Sequence, residues 1–161
     1  MKSILIASSL ALSLLSANAL AHGDEAGSGA AQTHDEHASS MGKPGDPGKV
    51  SKTMEIDMND TMRFTPAAIS IKRGETVRFI VKNSGKVKHE MVLGSIEELK
   101  EHAALMQKFP EMEHSDPNQV SLDPGKSGEL IWQFSKAGRF DFACLQPGHF
   151  EAGMRGHIVV R

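Results

Sequence analysis

Cys144-Leu145-Gln146-Pro147-Gly148-His149-Phe150-Glu151-Ala152-Gly153-Met154 places a thiol, an imidazole and a thioether at near-even spacing on eleven residues. A soft thiolate with imidazole and a weak thioether suits a copper ion that cycles between two oxidation states. The blue-copper geometry requires two histidines, one cysteine and a distant axial methionine. Pro147-Gly148 encodes a tight turn that can swing His149 back towards Cys144, and Gly153 permits a second bend before Met154. One histidine is missing from this loop. His89 fills the role, because Lys88-His89-Glu90-Met91-Val92-Leu93 is a strand-like run directly after the turn Asn83-Ser84-Gly85-Lys86. A lone Cys, His or Met more often packs or faces solvent than binds metal. Three ligand types at this spacing, with an upstream histidine at a strand end, form a joint pattern that chance rarely assembles.

The set His89, Cys144, His149 and Met154, one residue far upstream and three on a C-terminal loop, resembles the cupredoxin (plastocyanin/azurin) family over residues 50–161. The stretches Met62-Arg63-Phe64-Thr65-Pro66, Lys72-Arg73-Gly74-Glu75-Thr76-Val77-Arg78-Phe79 and His89-Glu90-Met91-Val92-Leu93 look most like the small periplasmic cupredoxins linked to copper tolerance. The spacing of Cys144, His149 and Met154 is similar to that of rusticyanin rather than plastocyanin. The resemblance implies one type 1 copper ion, with Cys144, His89 and His149 as strong ligands and Met154 as the weak axial one. Many electron-transfer members carry Asn or Ser after the upstream histidine, where it braces the ligand loop. This chain has Glu90 there, a carboxylate expected to tune the site without ligating it.

Outward from the loop, the chain from Val50 consists of short runs with period-two alternation, such as Thr53–Met58 and Thr76–Val81. Such runs read as half-buried strands. Others lie at about 68–72, 88–93, 119–122, 128–134, 139–144 and 154–160. About eight short strands imply an all-β Greek-key sandwich or barrel. Leu130, Trp132 and Phe134 share one face of their strand, and Phe140 and Phe142 alternate just before Cys144, so both sets are expected in the core. Met54 and Met58 fall on the face of Ile56, which makes them core residues rather than a Cu(I) relay. One inserted helix starts at Ser95, with Glu98 completing a capping box, and stops at Pro110. Its apolar face comprises Ile96, Leu99, Ala103 and Met106. His102, His114 and His157 read as surface residues.

Residues 1–21 carry Lys2, an apolar run from Ile4 to about Leu15, and Ala19-Leu20-Ala21, which is the pattern of a cleaved secretory signal peptide. The run is short for a membrane span, so no membrane insertion is expected after cleavage. Export to the periplasm would leave 140 residues with 17 Lys and Arg against 20 Asp and Glu. That mild acidic balance argues against nucleic acid as a partner. The single cysteine cannot form an internal disulfide in an oxidising compartment, and metal ligation would protect it. Residues 22–49 are rich in Gly, Ala, Ser, His and acids and read as a disordered tail and linker before a domain at 50–161. His22, His34, His37 and Met41 in that tail could capture further copper weakly, or the segment could serve only as a soluble linker.

Two functions remain open. One is copper binding for tolerance, by buffering, delivery or control of oxidation state, with a redox or copper-delivery protein as partner. The other is periplasmic electron transfer between redox partners. The tail and the resemblance favour the first. A copper enzyme would need a second, substrate-facing centre of several histidines, which the domain's sequence does not contain, so the chain reads as non-enzymatic.

Overall fold

The computed structural model describes residues 41–110 and 116–161. Residues 1–21, the tail histidines His22, His34 and His37, and His114 lie outside the described residues. Among the described residues, the period-two runs form eight strands: β2 (Lys52–Asn59), β4 (Ala68–Ile71), β5 (Thr76–Asn83), β6 (His89–Gly94), β7 (Gln119–Leu122), β8 (Ser127–Phe134), β9 (Gly138–Ala143) and β10 (Arg155–Val160). Two three-residue strands add to these, β1 (Gly42–Pro44) and β3 (Arg63–Thr65). The ten strands make two five-stranded sheets, ordered β1-β8-β5-β2-β3 and β4-β10-β9-β6-β7. Pairing is antiparallel except for β2 with β5 and β4 with β10.

Alternation decides which side chains meet between the sheets. Ile56 and Met58 of β2, Val77, Phe79 and Val81 of β5, and Leu130, Trp132 and Phe134 of β8 share one buried cluster with Met91, Leu93, Phe142 and Ile158 of the other sheet. Phe64 of β3 meets Phe142 edge to face at 5.0 Å between ring centres. Gly156 of β10, opposite Phe142, makes room for that ring, since a Cβ there would stand 2.1 Å from Cζ of Phe142. Of the β2 methionines, Met58 is fully buried in this core and Met54 is partly buried against it, on the face their spacing implies.

The domain begins earlier than its composition suggests. Met41, counted above among the copper-capturing tail residues, is fully buried in the main core and therefore belongs to the fold rather than to a capture site. Gly42, Lys43 and Pro44 pair with Phe134, Gln133 and Trp132. Pro44 is tolerated there because β1 is an edge strand, where a missing N–H breaks no ladder.

Helix α1 (Ile96–Lys108) connects β6 to β7 and opens on the expected capping box: Glu98 N donates to Ser95 Oγ, and Ser95 N donates to Glu98 Oε2. Its buried residues Leu99, Ala103 and Met106 pack with Val92 of β6, Ala143 of β9, and Leu145 and Phe150. The helix thus covers the outer side of the β6–β9 pair and rests on the loop that follows β9. Among the described residues, no helix is long and apolar enough to cross a membrane.

Candidate metal centre

His89 opens β6, opposite Leu122 of β7. The turn before it is held by the fully buried Asn83, whose side-chain oxygen accepts from Gly85 N at 2.9 Å. Its Nδ2 donates to the carbonyls of Val87 at 2.8 Å and Leu122 at 2.9 Å. Cys144 directly follows β9. From there the chain turns at Gly148 (φ 83°) and again at Gly153 (φ 89°), both in the left-handed region that glycine enters without a Cβ penalty. Cys144 N donates to Met154 O at 3.1 Å and Met154 N donates to His149 O at 3.0 Å, so the loop closes on itself.

That closure brings three of the four sequence-identified side chains together as donors. Cys144 Sγ lies 3.2 Å from His149 Nδ1 and 4.0 Å from His89 Nδ1. The three donor atoms all lie within 4.8 Å of one another, a group able to hold a metal ion. His89 and Cys144 are fully buried, and His149 is partly exposed at the rim. Met154 is fully buried in the same cluster as Cys144 and is tied through its backbone to both Cys144 and His149. One soft sulfur with two imidazole nitrogens is a donor set that fits copper and suits hard, oxygen-seeking cations poorly.

Glu90 is only 6% exposed and turns inward. Its Oε1 accepts from Leu145 N at 3.0 Å, and its Oε2 accepts from Gln146 Nε2 at 3.2 Å. The carboxylate therefore braces the start of the ligand loop, as Asn or Ser would at that position, and adds a buried negative charge. Glu90 N also points at Cys144 Sγ, 3.5 Å away.

Three contacts that carry no signal in a linear reading complete the surroundings. Asp60, in the turn between β2 and β3, sets Oδ1 3.1 Å from His89 Nε2 and accepts from Lys86 N at 2.8 Å through Oδ2. Arg63 Nη1 donates to Ala152 O at 3.2 Å, fastening the loop to β3. Gln107 Nε2 donates to Glu151 Oε1 at 2.6 Å, fastening it to the end of α1. Each partner is a generic surface residue in the sequence, distant from the loop along the chain. His102 and His157 are partly exposed and lie outside the donor group.

Electrostatics follow from burial. Desolvation pushes the Cys144 thiol up to about 12; the N–H groups of Glu90 and Gln146 pull it back, and the Glu90 carboxylate opposes them. Burial lowers His149, with the neighbouring His89 adding to the effect, so its ring stays neutral further into acid than an ordinary histidine. Asp60 is held below the usual carboxylate range, chiefly by the hydrogen bond from Lys86 N.

Residues 50–161 match the model of the copper-binding proteins of the plastocyanin/azurin family. The copper-resistant cuproprotein CopI of Rubrivivax gelatinosus is 52% identical over 140 residues, covering 86% of this chain and 85% of that protein. CopI of Pseudomonas aeruginosa is 38% identical over 160 residues, covering 81% and 88%. Among solved structures, auracyanin B superposes with a TM-score of 0.61 at 23% identity, over 76% of this chain and 95% of that one. An azurin of Methylomonas sp. strain J gives 0.53 at 21% identity, over 70% and 99%. These likenesses show a cupredoxin β-sandwich.

Proposed function

The chain belongs to the copper-binding plastocyanin/azurin family, and from that premise we propose an exported, non-enzymatic type 1 copper protein that serves copper tolerance in the periplasm. Cys144 Sγ, His89 Nδ1 and His149 Nδ1 would hold one copper ion, with the Met154 thioether as a weaker fourth donor. The observation that carries this reading is the convergence of two imidazole nitrogens on one buried sulfur. The similarity to two CopI proteins named for copper resistance supports the tolerance role. Bound there, copper would supply a one-electron Cu(II)/Cu(I) couple. The chain's part is to hold the donors in place through Glu90, Arg63 and α1, and to keep water from Cys144 and His89 by burying both.

Ligation must remove a proton from Cys144, because a thiol pushed up to about 12 is protonated at neutral pH. His149, lowered by burial, has no proton to lose in that range. Apparent copper affinity should therefore rise about tenfold per pH unit between pH 7 and 9, with about one proton released per copper. Calorimetry in buffers of different ionisation enthalpy measures that number. An affinity that does not change with pH would place the bound copper away from Cys144.

Loss of the gene should lower survival of the host in excess copper and leave respiration intact. Residues 22–40 are proposed to add weak capture through the imidazoles of His22, His34 and His37. Deleting them should reduce tolerance while keeping the folded site. Impaired respiration with unchanged copper survival would instead favour electron transfer between redox partners.

A further inference from the structure

His89 has two ring nitrogens with different surroundings. Nδ1 faces Cys144 Sγ, and Nε2 lies 3.1 Å from Asp60 Oδ1. Asp60 sits 29 residues upstream, on the β2–β3 turn, which reaches across to the turn between β5 and β6. Its carboxylate is held from two sides. Oδ2 accepts from Lys86 N at 2.8 Å, and Oδ1 packs over Gly85, where an added Cβ would stand 2.1 Å away. The carboxylate therefore keeps its place only because residue 85 has no side chain. Beneath it, Asn59 accepts from Thr61 N at 3.1 Å and Met62 N donates to Asn59 O at 3.0 Å, which holds the turn closed.

We propose that Asp60 is the positioning residue of His89: its carboxylate accepts Nε2–H, fixes the ring's orientation and tautomer, and leaves the Nδ1 lone pair directed at the site next to Cys144. A fully buried imidazole offers either nitrogen to a metal unless its other nitrogen is committed, and a carboxylate partner commits it while raising the basicity of the free one. The part of this inference that concerns copper rests on the function proposed above. The part that concerns the tautomer does not.

The test is long-range ¹⁵N–¹H NMR of the metal-free protein at pH 8, followed by Cu(II) titration of the same samples, for the parent, Asp60→Asn, Asp60→Ala and Gly85→Ala. The parent should show His89 as the Nε2–H tautomer. Asp60→Ala should shift it to a mixture of tautomers and weaken copper binding by roughly 10- to 100-fold, the usual effect of removing such a partner. Asp60→Asn keeps one acceptor oxygen and should fall between the two. Gly85→Ala keeps the charge but displaces the carboxylate, and should shift the tautomer in the same direction. A His89 tautomer unchanged in both Asp60→Ala and Gly85→Ala would overturn the inference, whatever happens to copper. A shifted tautomer in a series whose parent binds no copper at this site would uphold Asp60's role and refute the copper assignment alone.

Discussion

Cys144→Ser is expected to abolish the intense visible absorption of the copper-loaded protein, because that colour arises from charge transfer between sulfur and Cu(II), which a hydroxyl cannot supply. Affinity should fall as well. Loss of the strongest donor should weaken binding by roughly 100- to 1000-fold in Kd, equivalent to about 3–4 kcal/mol. The fold should survive, since serine is smaller than cysteine and its hydroxyl can still accept from Glu90 N, which now points at the sulfur. Circular dichroism on the same sample separates loss of the site from loss of structure. A variant that stays coloured would mean that copper sits on other groups.

Glu90→Gln is expected to raise the reduction potential while copper stays bound. The Glu90 carboxylate is buried and accepts from the backbone of the residue after Cys144, so its charge acts on the site through a medium of low dielectric. A negative charge there stabilises Cu(II) over Cu(I), and neutralising it should raise the potential by about 60–120 mV, taking one to two powers of ten at 59 mV each. Glutamine retains an oxygen for Leu145 N, and its amide NH2 can donate to Gln146 once the Gln146 amide turns over, so the contacts to the loop are kept while the charge is removed. Glu90→Ala would remove the brace too, leaving Leu145 N–H buried without its partner at a cost of about 1–3 kcal/mol in stability. Voltammetry reads the first effect and thermal unfolding the second. An unchanged potential in Glu90→Gln would show that the charge is screened from the metal.

Most of this arrangement could be read from the chain, for definable reasons. Most of the longer strands show themselves through alternation, β6, buried at every residue, through an apolar run that follows a turn, and α1 through Ser95, Glu98 and the spacing of Leu99, Ala103 and Met106. β3 has a single inward residue, Phe64, too few for a period to appear. β1 has the composition of a linker and exists only because β8 offers an unpaired edge and the core accepts Met41. The convergence of Cys144 and His149 is legible because a loop keeps its side chains close in sequence, and that of His89 because it opens a strand; Met154 lies buried nearby, tied to the loop through its backbone. Glu90 stood out as a charge beside a candidate ligand, but its inward turn onto Leu145 N depends on where the loop crosses β6. Asp60, Arg63 and Gln107 gave no signal, since each acts on a partner that only the closed sandwich brings near.

The most direct test of the proposed copper centre is a Cu(II) titration of residues 22–161 followed by visible absorption and electron paramagnetic resonance. The expected result is an intense thiolate-to-copper band that grows linearly and stops at one copper per chain, while any further, weaker binding to the N-terminal histidines adds no such band. A protein that takes up one equivalent of copper and remains colourless would contradict ligation by Cys144, and with it the assignment of His89, Cys144, His149 and Met154 as a type 1 site.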